Sequence, residues 1–140
     1  MPETFTWVAR VYYEDTDASG VAYHAAYLRF FERARTEWLR AMGQGQEQLR
    51  LTSGLAFTVA NMEIDFVKPA RLDDELEIVV RVEQIRRASL VFEQSAHRRG
   101  EPGVTLARAR VRVACVEAAS FKPCALPENF FGATKEKVIG

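Results

Sequence analysis

Apolar and polar positions along this chain alternate with two periods, and the change from one to the other marks out its elements. Near the start, Phe5, Trp7, Ala9, Val11 and Tyr13 alternate with Thr6, Val8, Arg10 and Tyr12, which predicts a strand. Glu14 to Gly20 interrupt it with Asp, Ser and Gly, residues that favour local turns over ladder pairing. From His24 the period becomes helical. Tyr27, Phe30, Phe31, Ala34, Trp38, Ala41 and Met42 share one arc, with Arg29, Arg33, Thr36, Glu37 and Arg40 opposite. Gly43 is the expected stop, and Gln46 to Leu51 predict a short helical turn ended by Ser53-Gly54.

Period two then returns. Ala56, Thr58, Ala60, Met62, Ile64 and Phe66 predict one face of a long second strand, which Lys68-Pro69 ends because proline cannot donate to a ladder. Leu76, Ile78, Val80 and Val82 predict a third strand. A hairpin at Arg86-Arg87-Ala88 leads to a fourth with Leu90, Phe92, Gln94 and Ala96 inward. After the Gly100-Glu101-Pro102-Gly103 turn, Thr105, Ala107, Ala109, Val111, Val113 and Cys115 predict the fifth. Phe121 to Pro127 read as a short edge strand, and residues from about 128 as a partly disordered tail.

Strand, long helix, then a meander of antiparallel strands is an α+β order, with the helix packed on one face of a sheet of five to six strands. At 140 residues the expectation is one domain, 1–140. Long, partly apolar strands need their edges paired, so a homodimer joining two sheets is expected.

Charge narrows the function. Lysine plus arginine equals aspartate plus glutamate, 19 each, so no global field recruits nucleic acid or an anionic membrane. An anionic ligand must be held by a local patch. No apolar run approaches the ~18 residues of a transmembrane span, and the first residues lack the pattern of a signal peptide. Cys115 and Cys124 make neither a disulfide framework nor a metal motif, which points to a reduced, cytoplasmic setting.

The densest chemistry lies in Tyr12 to Arg35. An aspartate on a glycine-containing loop just before a helix can face that helix's N-terminus, where free N–H groups and the dipole offer an oxyanion site. A carboxylate beside such donors suits attack of water on an acyl carbonyl. An isolated Asp-x-Asp more often only binds turn amides or caps a helix. The fuller pattern outweighs that. Tyr13-Glu14-Asp15-Thr16-Asp17-Ala18-Ser19-Gly20-Val21-Ala22-Tyr23-His24-Ala25-Ala26-Tyr27, with Phe31-Glu32-Arg33-Ala34-Arg35, resembles the signature of the hotdog-fold acyl-CoA thioesterases. The resemblance is to the 4-hydroxybenzoyl-CoA thioesterase family, and within it to the Tol-Pal-associated, YbgC-like group. It continues through Asp65 to Asp74, Arg87 to Phe92 and the Lys122-Pro123 tail. Ser19 and Ala22 depart from the commonest pattern.

The resemblance implies a hotdog fold and hydrolysis of acyl-CoA, or of an acyl group on an acyl carrier protein, without a cofactor. Asp17 then matches the catalytic carboxylate, as nucleophile or general base. His24 matches the helix-start position whose N–H polarises the carbonyl, its imidazole adding a hydrogen bond or orienting Asp17. Tyr13 supports the carboxylate or the acyl pocket, Asp15 bonds the loop's own amides, and Gly20 supplies special backbone geometry. Arg86 and Arg87, with Ser89 and Lys68 as weaker candidates, are placed to grip coenzyme A phosphates. The assembly expected is a homodimer or a dimer-of-dimers tetramer. Two other classes compete: a hotdog dehydratase or hydratase using His24 and Asp17, and a non-catalytic acyl-CoA-binding scaffold.

Other residues read as structural. With two histidines in the chain, a zinc site at His24 is disfavoured, His97 reads as a solvated strand-end residue, and Cys115 as a small core residue. Arg108, Arg110 and Arg112 form a basic stripe facing an interface or solvent. Arg35 lies inside the apolar arc and needs a carboxylate or carbonyl partner, with Glu32 available.

Overall fold

A computed structural model describes residues 4–43 and 45–127; the expected tail from about 128 lies outside them. The elements follow as β1 (Thr4–Arg10), α1 (His24–Ala41), α2 (Gln46–Ser53), β2 (Leu55–Phe66), β3 (Glu75–Ile85), β4 (Ser89–Arg98) and β5 (Thr105–Glu117). All five strands pair antiparallel in one sheet, in the order β1-β3-β4-β5-β2.

The helix and strand phases follow the hydrophobic pattern. The α1 side chains of Tyr27, Phe30, Phe31, Ala34 and Trp38 are buried against one face of the sheet, where Leu76, Ile78, Val80, Leu90, Phe92, Ala96, Ala107 and Val111 meet them. Trp38 stands edge-on to Phe92 with ring centroids 5.3 Å apart. Fully burying side chains of this size is worth about 1.5–3 kcal/mol each, so this contact dominates the packing. Ala41, expected on the arc, is exposed, because α1 ends there and the chain turns away through Gly43 at φ +78°.

Four expectations are corrected. The later strands are not one meander. Only β3, β4 and β5 follow that path, while β2 lies at the far edge beside β5. A tight hairpin between β2 and β3 is impossible across the connector 67–74. The amides of Val67 and Lys68 both donate to the Leu106 carbonyl (2.8 and 3.0 Å), holding the chain on β5 before Pro69 turns it away.

The phase of β2 also changes midway. A bulge between Val59 and Asn61 adds an unpaired residue, so Leu55 and Phe57 face the core before it and Met62 and Ile64 after it. A second bulge between Val82 and Gln84 shifts β3, burying Ile85. Tyr13 leaves the β1 alternation altogether. A 3-10 turn over Tyr13–Asp15 swings its side chain out to 83% exposure. Finally, Phe121 to Pro127 contributes one bridge, Val116 to Pro123, rather than a sixth strand.

One polar tie crosses the helix–sheet interface. Gln94 alternates onto the core face of β4 and is 1% exposed. Its Nε2 donates to the Phe31 carbonyl and its Oε1 accepts from the Arg35 guanidinium, both at 3.0 Å. Arg35 thus finds an amide carbonyl rather than Glu32, whose carboxylate accepts from Thr36 Oγ1 at 2.6 Å. Burial pushes the Arg35 guanidinium below its usual pKa, and the nearby Glu32 charge partly offsets this.

Gln94→Leu would leave a buried cation without its acceptor and should cost about 3 kcal/mol in urea unfolding. Arg35→Met combined with Gln94→Leu should cost clearly less than the two single changes summed. Additive costs would show that the pair is not coupled.

Candidate functional site

The loop between β1 and α1 is built from its own polar residues. Asp15 is buried at 4% exposure, accepting from the Tyr12 amide at 2.9 Å and the Arg29 guanidinium at 3.2 Å. Its carbonyl accepts from the Tyr23 amide at 2.7 Å, joining the loop to the residue before α1. Asp15 is therefore structural, as the sequence suggests. The Arg29 contact is unexpected, since the helical wheel places Arg29 on the solvent arc.

Beyond Asp15 the chain makes a tight excursion. Thr16 bridges Ala22, the Asp17 amide donates to the Val21 carbonyl (3.0 Å), and the Gly20 amide returns to the Asp17 carbonyl (3.0 Å). Gly20 closes the turn at φ +80°, a conformation that penalises a Cβ although nothing stands within 4 Å of one. Asp17 stays exposed, with Oδ1 accepting from the Ser19 amide at 2.8 Å. That bond orients the carboxylate, and among the described residues no bond to Oδ2 is found.

The connector 67–74 holds the loop against the helix start. Val21 bridges Arg71, and the Ala22 amide donates to the Ala70 carbonyl at 2.7 Å. Ala70 is fully buried, and its amide donates to the Tyr27 hydroxyl at 3.2 Å. Burial raises the Tyr27 phenol above its ordinary pKa, so it stays a neutral hydroxyl at neutral pH.

α1 begins at His24 without a side-chain cap. Of its first amides, Tyr23 is satisfied by Asp15 and Ala26 by the Tyr23 carbonyl at 2.9 Å. Helix geometry leaves the N–H groups of His24 and Ala25 with no intrahelical acceptor. The His24 imidazole lies 4.7 Å, centroid to centroid, from the Phe66 ring, which also meets Tyr27 edge-on at 5.6 Å. Among the described residues no hydrogen bond joins His24 to Asp17. An exposed, oriented carboxylate on the loop that leads into a helix start without a side-chain cap is chemistry suited to attack on a polarised carbonyl.

The other candidates lie apart. Lys68 is exposed just beyond β2, at the Phe66 end of the sheet. Arg86, Arg87 and Ser89 form the β3–β4 turn, closed by the Arg86 amide to the Ser89 carbonyl (2.8 Å). Ser89 pairs with Ala114 and Leu55 with Glu117, so this turn lies at the Leu55 end. One chain does not bring the arginines to Asp17. Tyr13 contacts neither group.

His97 is half-buried rather than solvated, with Nε2 2.8 Å from Ser95 Oγ and Nδ1 3.3 Å from the Val104 carbonyl. It sits in a hollow of about 420 Å³ on the outer sheet face, among ion pairs such as Arg81–Glu93 and Arg110–Glu83. Among the described residues, no group of three or more His, Cys, Asp or Glu could hold a metal. No described helix is long and apolar enough to cross a membrane.

Phe66 is the wall residue that sequence reading missed. Its signal was position, the last aromatic before the Lys68-Pro69 stop.

A model of the thioesterase superfamily matches residues 19–105, which include His24, Lys68 and Arg86 to Ser89 but begin just after Asp17. The chain is 46% identical over 125 residues to the acyl-CoA thioesterase YbgC of Haemophilus influenzae, covering 89% of this chain and 90% of that protein. It is 45% identical over 132 residues to the acyl-CoA thioester hydrolase YbgC of Escherichia coli O6:H1, covering 94% and 96%. Its fold matches the crystal structure of a probable thioesterase from Bartonella henselae at TM-score 0.81 and 40% identity, covering 89% and 99%.

Tyr27→Phe orphans the buried Ala70 amide and should cost about 1–2 kcal/mol in denaturant unfolding. Gly20→Ala, forced to a positive φ, should cost about 1–2 kcal/mol. Unchanged midpoints in both would show that the loop is not held as described.

Proposed function

The chain belongs to the thioesterase superfamily, and on that premise we propose that its hotdog domain hydrolyses acyl-CoA thioesters to free acid and coenzyme A. The observation that carries the reading is the exposed Asp17 carboxylate on a loop tied to the start of α1, a helix that begins at His24 without a side-chain cap. The thioester carbonyl oxygen docks against the first amides of that helix. Asp17 attacks the carbonyl carbon or takes a proton from the water that does. Charge developing on the oxygen is met by fixed donors and the helix dipole, so little reorganisation is needed as it forms. Collapse expels the thiolate, which takes up a proton. Where Asp17 is the nucleophile, water then hydrolyses the acyl–Asp17 anhydride to the free acid and restores the carboxylate.

His24 acts through its backbone, since its ring is occupied with Phe66. Hydrolysis, rather than dehydration, suits this division of labour, because among the described residues no hydrogen bond joins an imidazole to Asp17. Free thiol, and no enoyl product from 3-hydroxyacyl thioesters, is the expected outcome.

A second copy completes the site. Among the described residues the outer edge of β2 is unpaired, and it carries Val59 and Phe66 at 46% and 45% exposure. Antiparallel pairing of β2 with a partner's β2 sets the Phe66 end of one chain beside the Leu55 end of the other. The partner's β3–β4 turn then lies at the same end of the joined sheet as this chain's Asp17, His24 and Lys68. Arg86, Arg87 and Ser89 thus hold the coenzyme A phosphates in trans. Two such dimers make the tetramer. The compartment is the cytoplasm, where two free thiols stay reduced.

Asp17→Asn should lower kcat by about 10²–10⁴-fold with the unfolding midpoint unchanged; full activity would overturn the assignment. His24 is the first helical residue, a position that tolerates proline. His24→Pro should therefore keep the fold but cost about 10²-fold in kcat through the lost N–H, whereas His24→Ala should lose far less. Co-expressing Asp17→Asn with an Arg86→Ala/Arg87→Ala chain should restore activity that neither shows alone. No restoration would place the arginines in cis or outside the site.

A further inference from the structure

We propose that Cys115 and Cys124 form a reversible intramolecular disulfide, a peroxide-responsive modification site that staples the segment after β5 to the sheet. Cys115 is fully buried near the end of β5, and Cys124 is half-buried in the returning segment. Their sulfurs lie 3.7 Å apart.

The backbone around them is already in register. The Glu117 amide donates to the Lys122 carbonyl at 2.9 Å and the Cys124 amide to the Cys115 carbonyl at 3.0 Å, with Val116 bridging Pro123 between them. Cys115 and Cys124 are therefore direct cross-strand neighbours. Such pairs have Cα atoms about 5.5 Å apart, inside the roughly 4.4–6.8 Å range of disulfides. Closing the sulfurs to about 2.0 Å needs thiol rotation and little backbone movement. The turn that sets this register is held firmly. Phe121 sits at φ +61°, unfavourable for a bulky residue, while its amide donates to the Glu117 carbonyl at 2.8 Å.

The two thiols have different roles. Cys124 has solvent access, so it meets the oxidant first. Its sulfur attacks one peroxide oxygen, the O–O bond breaks, water leaves and Cys124 becomes a sulfenic acid. The Cys115 sulfur then displaces that hydroxyl as a second water, and the S–S bond forms. Two electrons pass from the sulfurs to the peroxide, and both thiol hydrogens leave in water. A dithiol reductant reverses the step.

Burial, with the neighbouring Cys124, pushes the Cys115 thiol up to about 12. Little of it is then thiolate near neutral pH, a handicap that the adjacency of the two sulfurs offsets. Closure should accelerate as pH rises.

The staple has a definite neighbour. The Leu126 amide donates to the Arg87 carbonyl (2.9 Å), and the Cys115 amide to the Ala88 carbonyl (2.8 Å). Oxidation therefore stiffens the β3–β4 turn. Any accompanying change in KM rests on the proposed coenzyme A role of Arg86 and Arg87, whereas the disulfide itself does not.

The test uses the full chain treated with a modest excess of hydrogen peroxide. The expected result is loss of two hydrogens from the intact mass and disappearance of both titratable thiols. Peptides cleaved after Glu117 should stay joined until a dithiol is added. The melting temperature should rise by roughly 5 °C, and Cys124→Ser should abolish all four effects. Two surviving thiols, accumulation of over-oxidised monothiol products or disulfides between chains would each overturn the proposal. Loss of thioesterase activity in either state would bear on the proposed function alone.

Discussion

The burial of one aromatic face of α1 across the sheet is the constraint on which the rest of the structure depends. Tyr27, Phe30, Phe31, Ala34 and Trp38 have no other apolar surface of sufficient size to cover them, and β3, β4 and β5 offer it. The Arg35–Gln94–Phe31 tie adds a directional element to an otherwise non-directional contact. Dispersion and hydrophobic burial fix how deep the helix sits. The polar tie restricts how it slides or rotates, because any other register would strand a buried guanidinium.

Once α1 is seated, the position of its N-terminus is decided, and the chemistry follows from there. The preceding loop must reach from the end of β1 to His24. Asp15 fills that space with a carboxylate satisfied by Tyr12 and Arg29. The Ala70 backbone, held by Tyr27 and Ala22, closes the other side. What remains exposed is the Asp17 side chain, held among the described residues only by the Ser19 amide, and the His24 end of the helix. Asp15, just upstream of Asp17, is instead buried with its partners. The proposed hydrolysis would draw on the Asp17 carboxylate and on the helix start, because the carbonyl oxygen of a thioester gains negative charge during attack.

Much of this was legible in the residues. The helix start at His24, the core faces of β3 to β5, the structural role of Asp15 and the positive φ of Gly20 all follow from short-range rules of periodicity and turn chemistry. Most of the misreadings come from contacts between segments distant in the chain, and one from a local turn. The β2 bulge at Val59–Asn61 and the edge placement of β2 depend on which strand lies alongside, and nothing within β2 encodes that. Gln94 looked like an ordinary polar residue in an apolar alternation, and only the arrival of Arg35 from 59 positions away explains it. Tyr13 continued the β1 pattern until the Asp15 carboxylate drew the chain into a turn.

The sequence by itself determined the elements, their inward faces and the family-like run from Tyr13 to Arg35, because period, turn residues and helix ends are local properties of the backbone and side chains. Tertiary structure alone decided that the His24 ring rests on Phe66 and that the Asp17 and Arg86–Ser89 ends of the chain lie apart. It also decided that Cys115 meets Cys124. Each of these is a contact between segments whose relative position is set by packing the whole helix on the whole sheet. No stretch of residues carries that information alone.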